Sequence, residues 1–350
     1  MKHRKKDTFF YGSLSLLLKT IASLCPICLL FFLLLFSCKP ESPPDNNATG
    51  PKTGSTAGNT PEFNADSALA FTKVQVDFGP RIMNSVSHER CGQYLSGKLK
   101  LFADSVYIQK TTLRGWDSKM LNVENIIASF SPEKNSRVIL CSHWDTRPWA
   151  DQDSVRKNEP PDGANDGAAG VAVLLEIARL LKNSRPNIGV DIILFDAEDY
   201  GQGEDSGVKE VENSWCLGSQ YWSHNPHITN YFASYGILLD MIGAKDAVFT
   251  QEAVSEQYAS SVNKKVWDAA AKLGYSDFFV YEKTHPLTDD HYYINVMAGI
   301  PCIDIIENDK KTSSHFYKNW HTHQDNIEFI DKKSLKAVGQ TLLEVVFTEK

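Results

Sequence analysis

The chain has 350 residues, a length that accommodates one large domain or two smaller ones. Hydrophobic residues make up 42% of the sequence and charged residues 23%, which excludes a disordered, collagen-like or disulfide-scaffold protein. The 36 Lys and Arg residues are outnumbered by 43 Asp and Glu residues, so the net charge is −7. Because nucleic-acid binding needs concentrated positive charge, no nucleic-acid partner is expected.

Residues 1–37 have the pattern of a targeting segment. A basic start (MKHRKK) precedes a long apolar stretch, as in secretory signals. The stretch ends in Ser37-Cys38 and is similar to a bacterial lipoprotein signal, in which the Cys is lipidated after cleavage. The alternative is an uncleaved membrane anchor, since the apolar run approaches the roughly 20 residues that span a bilayer. With either kind of anchor, we expect export to the bacterial cell envelope. As a lipoprotein, the chain would face the periplasm or be held at the outer membrane by its lipid.

The remainder of the chain divides into a linker and a globular part. Residues 38–61 are rich in Pro, Gly, Ser, Thr and Asn without apolar periodicity, which predicts a flexible tether that carries the lipidated Cys. Residues 62–350 are predicted to form one domain. Nothing in the sequence demands an obligate dimer, so a monomer is expected.

Four of the seven cysteines lie in this domain, at Cys91, Cys141, Cys216 and Cys302. Cys141 and Cys302 occur in apolar, strand-like runs, which favours buried free thiols. Oxidation of a pair stays open as an alternative, because exported proteins meet an oxidising environment.

Short apolar runs alternate with helical patterns through the domain. This alternation predicts an α/β fold, a single domain with a central, mostly parallel mixed β-sheet flanked by helices. A long helix is predicted over Gly167–Leu181 and a final amphipathic helix over about Lys332–Phe347. Four strands are predicted, at Arg137–Ser142, Val190–Phe195, Tyr235–Leu239 and Pro301–Ile306.

Ionisable residues follow three of these strands. His143 and Asp145 come after the first strand, Glu198 and Asp199 after the second, and Asp240 after the third. In open α/β sheets, ligands bind at the carboxyl ends of the strands. These side chains are therefore expected to converge on one crevice.

Two further residues are expected to join this cluster: Asp166, at the head of the long helix, and His321, in a late loop. Converging carboxylates repel one another unless a cation lies among them. Carboxylates with imidazole suit zinc, with a fourth position left open for water or substrate, so the sequence predicts a catalytic zinc site. Taken singly, Asp166 also fits a helix N-cap and His321 a surface histidine, but their conjunction favours a shared metal.

The ordered set of these residues resembles the zinc aminopeptidase superfamily, whose members carry HxD, a bridging Asp, a Glu–acid pair, an Asp and a late His. Within that superfamily, the chain is most similar to the zinc-dependent glutaminyl cyclases (glutaminyl-peptide cyclotransferases) of bacterial type. The resemblance runs from about Val76 to the C-terminus and implies a zinc-aminopeptidase-like fold. The distinguishing stretches are Leu239–Ala244, Asp289-Asp290-His291 and Trp320-His321-Thr322.

The resemblance also implies a set of site residues. Glu198 would be the proton shuttle, and Asp240 and Asp289 would form a polar network at the reacting centre. One zinc per chain would be held by Asp166, Asp199 and His321.

Other residues would shape the site. Trp320 would wall the substrate pocket, and Trp215 is expected to replace a Trp that animal cyclases carry shortly after the Glu pair. His143 and Asp145 are interpreted as ligands of a second metal or as supporting residues.

The activity implied is cyclisation of N-terminal glutaminyl residues of peptides and proteins to pyroglutamate, with release of ammonia. Zinc would polarise the γ-carboxamide, and Glu198 would move the proton. One alternative is a zinc aminopeptidase with one or two metals, since His143 and Asp240 are the ligands that a second zinc would use. Another is a zinc-containing lipoprotein that binds peptides without catalysis.

Two loops receive simpler interpretations. Asp325 is expected to fix its loop and to orient an imidazole. A surface loop is the favoured interpretation of Arg147, Trp149 and Asp151, and a pocket rim is the alternative.

Overall fold

The computed structural model describes residues 60–203 and 206–350. The predicted lipoprotein signal, and all but the last two residues of the predicted tether, lie outside the described residues. Among the described residues, no helix combines the length and the apolar character needed to cross a membrane. Export and lipid attachment therefore stay predictions.

A six-stranded mixed sheet lies at the centre of the fold. Its strand order is β1-β2-β4-β3-β5-β8; the pairs β1–β2 and β2–β4 are antiparallel and the other three pairs are parallel. Strands β6 and β7 form a separate parallel pair. The described strands are β1 (Ser105–Arg114), β2 (Met120–Phe130), β3 (Arg137–His143), β4 (Gly189–Phe195), β5 (Tyr235–Asp240), β6 (Phe249–Glu252), β7 (Phe279–Thr284) and β8 (Cys302–Ile306).

Helices cover both faces of this sheet. Short π-helical turns occur at Ala164–Ala169 and Ile294–Ala298, and a 3₁₀ turn occurs at Ile327–Phe329. The described α-helices are α1 (Ala65–Asp77), α2 (Val86–Phe102), α3 (Gly170–Asn183), α4 (Leu217–His224), α5 (Ala253–Lys272), α6 (Asp290–Tyr293) and α7 (Lys332–Thr348).

Alternation along the strands divides the core into two layers, because successive side chains point to opposite faces. Val138 and Leu140 of β3 join the larger cluster, with residues of α3 and α7. Ile139 and Cys141 join the other cluster, which contains Trp222 of α4. Burial on both faces explains why the middle of β3, from Val138 to Cys141, is apolar. The predicted fold class is confirmed.

The predicted elements differ from the observed ones mainly at their ends. β3 and β5 continue one residue further than predicted, so that His143 and Asp240 belong to the sheet itself. α3 begins at Gly170 after a π-helical turn, and within this turn Asp166 has the non-helical angles φ −102° and ψ 91°. Asp166 is therefore not the N-cap of this helix, and its carboxylate is available for other contacts.

All four cysteines of the described domain are buried and free. They are Cys91, Cys141, Cys216 and Cys302. The prediction of buried free thiols at Cys141 and Cys302 is confirmed.

Glu307, which follows β8, has an unusual environment for a carboxylate. Its side chain is buried, and its Oε2 atom accepts no hydrogen bond from the described residues. Burial and the charge of Asp309 raise the pKa of Glu307 to about 8, against the opposing effect of Lys318. An unfolded glutamate titrates at a pKa of about 4.3. At a pH between these two pKa values, the folded state holds a proton that the unfolded state has released. The free energy of unfolding therefore falls as the pH rises towards 8.

Glu307→Gln should remove this pH dependence. The unfolding free energy of the parent should fall by up to about 1.4 kcal/mol per pH unit between these pKa values, a loss that the variant avoids. Thermal unfolding at pH 5 and pH 9 measures the effect, which should appear as a raised Tm of the variant at the higher pH. Glu133→Gln, at an exposed position, is the control. An equal change of Tm at both pH values would contradict the assignment.

Candidate functional site

Side chains at the carboxyl ends of three neighbouring parallel strands meet at one edge of the sheet. His143 is the last residue of β3, Asp240 is the last residue of β5, and Glu198 and Asp199 follow β4. The Nε2 atom of His143 lies 3.1 Å from Oδ1 of Asp240. The structure thus brings these ionisable residues to one crevice.

Asp166, Asp199 and His321 form a compact group of ligand atoms at this crevice. These atoms lie within 4.8 Å of one another. Nε2 of His321 is 3.2 Å from Oδ1 of Asp199 and 3.5 Å from Oδ2 of Asp166. All three side chains are buried. Two carboxylates and one imidazole at this spacing form a set that could hold a zinc ion and leave a fourth position open.

The surroundings of this group fit a cation at its centre. Nδ1 of His321 donates to Oδ1 of Asp151 at 3.0 Å, which fixes the ring and leaves Nε2 facing the carboxylates. The buried Oδ1 of Asp199 accepts no hydrogen bond from any described residue. Burial and the charge of Asp166 raise the pKa of Asp199, because the two carboxylates repel each other. A bound zinc ion would relieve this repulsion, so the residues fit the metal.

Asp166 also belongs to a second group of ligand atoms, together with His143 and Asp240. Its Oδ1 lies 3.0 Å from Nε2 of His143, whereas its Oδ2 faces His321. Burial raises the pKa of Asp240 to about 7, although the hydrogen bond from His143 acts in the opposite direction. Because Asp166 faces both groups, the ligand geometry suits either one zinc or two.

Asp145 supports the acidic pair after β4. Its carboxylate oxygens accept hydrogen bonds from the backbone N–H groups of Glu198 and Asp199, both at 3.1 Å, and Nδ1 of His143 lies 3.6 Å away. The opposite side of this histidine is closed by Gly167, where a Cβ would lie 2.5 Å from Nε2. The acidic pair and the imidazole are therefore held in fixed positions.

Glu198 lies beside the metal-ligand group and faces a second acid. Ligand atoms of Glu198, Cys216 and Asp289 lie within 4.8 Å of one another, and the Cys216 thiol donates to Oε1 of Glu198 at 3.2 Å. Burial raises the pKa of Glu198 well above its usual range; the charge of His143 opposes this shift, and the carboxylates of Asp289 and Asp199 add to it. A carboxyl group with a raised pKa is better suited to accepting and returning a proton.

A pocket of about 260 Å³ opens in front of these groups. The Trp320 ring stacks on His321 at a centroid distance of 3.9 Å, and the Trp215 ring lies parallel to His321 at 6.2 Å. Both predicted wall residues therefore flank the same imidazole. The lining includes every predicted catalytic, metal-binding and substrate-binding residue, namely Asp166, Glu198, Asp199, Trp215, Asp240, Asp289, Trp320 and His321.

The expectation of a surface loop is wrong for Arg147, whereas Trp149 and Asp151 are half-buried. Arg147 and Asp151 line a cavity beside Trp215 and His321, which fits the alternative of a pocket rim. Arg147 is only 1% exposed, and it donates to the backbone carbonyls of Asp199 and Gly201, both at 2.9 Å. Asp151 accepts from His321, as described above. The sequence offered one signal for this arrangement. Asp151, a carboxylate that can pair with a buried Arg, is the fourth residue after Arg147.

The expectation that Asp325 orients an imidazole is also wrong. Its carboxylate accepts hydrogen bonds from the backbone N–H groups of Asn165 and Asp166, at 2.8 and 3.1 Å. Burial and the charge of Asp166 raise the pKa of Asp325 to about 8. Asp325 therefore fixes the turn that presents Asp166.

The sequence profile of peptidase family M28 matches residues 125–346, which contain the strands and loops of this site. The chain belongs to peptidase family M28. The predicted superfamily is therefore confirmed, and the zinc-type ligand set is typical of a member.

Solved structures similar to this M28 chain carry two kinds of name. A glutaminyl cyclase from Bacteroides thetaiotaomicron, bound to N-acetylhistamine, is 52% identical, with a TM-score of 0.82, over 83% of this chain and 100% of that one. A protein described as a leucine aminopeptidase precursor from the same species is 51% identical, with a TM-score of 0.81, over 84% of this chain and 100% of that one. The predicted resemblance to bacterial glutaminyl cyclases is confirmed.

A relative of lower sequence identity is also named as a glutaminyl-peptide cyclotransferase. The glutaminyl-peptide cyclotransferase of Gloydius blomhoffii is 25% identical over 248 residues. The alignment covers 62% of this chain and 63% of the snake protein, so the chain matches less than two thirds of that relative's length.

Proposed function

We propose that this M28 chain is a glutaminyl-peptide cyclotransferase, which closes the N-terminal Gln of peptides and proteins into pyroglutamate and releases ammonia. The observation that carries the proposal is the position of Glu198, a half-buried acid with a raised pKa, beside a metal-ligand group in a small pocket walled by two tryptophans. The 52% identity to a solved bacterial cyclase supports it.

One zinc per chain is part of the proposal. Asp166, Asp199 and His321 would hold it, since their ligand atoms are close together and their partners leave them facing one point. When bound, zinc supplies a Lewis acid that polarises the γ-carboxamide of the substrate.

Glu198 would carry the proton between the two nitrogen atoms of the reaction. The α-amine of the substrate attacks the γ-carboxamide carbon; a C–N bond forms to the ring, and the bond to the departing NH₂ breaks. Glu198 accepts a proton from the attacking amine and gives it to the leaving nitrogen, so no proton is gained or lost overall. A peptide α-amine has a pKa of about 7.7–8.0, and raising the pKa of the carboxyl lowers the free-energy cost of proton exchange between the two groups.

The aromatic walls would hold the glutaminyl side chain folded back on its own amine. Trp320 stacks on His321, and Phe316 packs against Trp320 at a ring distance of 4.7 Å. A well-oriented intramolecular attack gains on the order of 7–11 kcal/mol, so fixing this conformer is a large part of the catalysis. The walls would also exclude water, whose attack would give deamidation instead of cyclisation.

The second candidate function is a zinc aminopeptidase. It is favoured by the group of His143, Asp166 and Asp240, which offers ligands for a second metal, and by the 51% identity to a protein described as a leucine aminopeptidase precursor.

Incubation of the purified protein with Gln-initiated and Leu-initiated peptides should separate these activities. We expect ammonia release from the Gln peptide and no free amino acid from either peptide. Free leucine would support the aminopeptidase instead. Zinc binding without any product would support the non-catalytic binding protein and would contradict both enzymatic proposals.

A further inference from the structure

The geometry points to Arg147 as a positioning residue that couples the aromatic wall at Trp215 to two of the metal ligands. The part of this inference that concerns substrate binding rests on the proposed function. The part that concerns the metal ligands rests on hydrogen bonds and burial alone.

One guanidinium group is linked to two metal ligands, to Asp199 directly and to His321 through Asp151. Nη1 of Arg147 donates to the backbone carbonyl of Asp199, the residue that carries one ligand. Nη2 donates to Oδ2 of Asp151 at 2.6 Å, while Oδ1 of the same carboxylate accepts from His321. Asp151 thus joins Arg147 to the imidazole ligand, and a displacement of the guanidinium would reach both ligands.

The same guanidinium supports the pocket wall. Its carbon atom lies 4.4 Å from the Trp215 ring centroid and 5.0 Å from the Trp149 ring centroid. The backbone at Gly201 passes so close that a Cβ there would lie 1.8 Å from Trp215. Trp215 is therefore confined between the guanidinium, this glycine and His321, whose ring it faces in parallel.

These contacts require arginine specifically. Arg147 is almost fully buried, and its planar fork meets two carbonyls and one carboxylate while its face stacks on two indole rings. A lysine would keep the charge but would lose the planar stack and most of these directed donors. The carboxylate of Asp151 accepts hydrogen bonds from both Arg147 and His321, so it orients the imidazole from a fixed position.

Arg147→Lys should weaken zinc binding and substrate binding together. Disturbance of the partner of a ligating histidine lowers metal affinity by about 10–100-fold. Loss of the desolvated stack on Trp215 should raise KM for a Gln-initiated peptide by roughly tenfold. Zinc affinity is measured by competition with a chromogenic chelator, and KM by ammonia release at saturating zinc.

Arg137→Lys is the matched control. Arg137 is also buried and forms a two-point ion pair with Asp191, but it lies at the opposite end of β3 from the site. It should lower Tm without changing zinc affinity or KM. If Arg147→Lys lowers Tm alone, as the control does, Arg147 is merely structural and the inference is overturned.

A double variant tests the coupling to the wall. In the Trp215→Ala background, Arg147→Lys should leave KM nearly unchanged while it still weakens zinc binding; an undiminished effect on KM would overturn the coupling. If the unmodified protein releases no ammonia, the cyclase proposal fails by itself. The zinc affinities of the Arg147 and Arg137 variants then decide the inference without any activity measurement.

Discussion

Glu198→Gln should keep zinc bound and lower kcat by about 10²–10⁴-fold, the range over which a general acid–base group contributes. The amide has nearly the shape of the carboxylate but cannot accept the amine proton. The substitution also spares the metal-ligand group, because the backbone N–H of Glu198 stays bonded to Asp145 and the ligands are other side chains. KM should change little, since the aromatic walls stay in place.

Kinetics of ammonia release, zinc content and thermal unfolding together test this prediction. Glu124→Gln is the matched control: Glu124 is a half-buried acid on β2, paired with Lys110 at 2.7 Å, and it does not line the 260 Å³ pocket. The control should keep both its zinc and its kcat. If Glu198→Gln retains most of the parent kcat while the protein is folded and loaded with zinc, Glu198 is not the proton shuttle.

The four parallel strands of the sheet and the edge at their carboxyl ends were predictable because their signals are local, whereas β1 and β2 were not predicted. An apolar run followed at once by His143 or Asp240 predicts both a buried strand and the identity of the side chain at its carboxyl end. For β3 and β5, the structure differs from the prediction only at the strand end, which includes His143 in β3 and Asp240 in β5. Asp166 and His321 lie far apart in the chain, and the spacing of residues cannot give their distance. The resemblance to known enzymes supplied that pairing.

The orienting contacts around the site were not predictable in the same way. Asp325 follows His321 closely in the sequence, which suggested that it orients the imidazole, but the actual partner is Asp151 from the loop after β3. Arg147 is buried because the loop after β4 folds over it and places two backbone carbonyls within reach. Such contacts depend on how two irregular segments pack together, and neither periodicity nor composition encodes that packing.

His321 and His143 form a matched pair for deciding between one zinc and two. Each is a buried histidine whose Nε2 faces a different oxygen of Asp166, at 3.5 and 3.0 Å. For the proposed cyclase, His321→Ala should remove the bound zinc. Loss of a Lewis acid worth several kcal/mol lowers turnover on the order of a thousandfold or more.

His143→Ala should instead keep about one zinc per chain, because Asp166, Asp199 and His321 are all retained. Metal analysis of the parent and both variants after dialysis measures these contents, and the Tm of each variant confirms that it is folded. A two-zinc aminopeptidase would give a different pattern: two zincs in the parent and one in each variant, with peptide cleavage lost in both. That pattern would contradict the one-zinc cyclase, because Asp166 would then bridge two ions held by the histidines on either side of it.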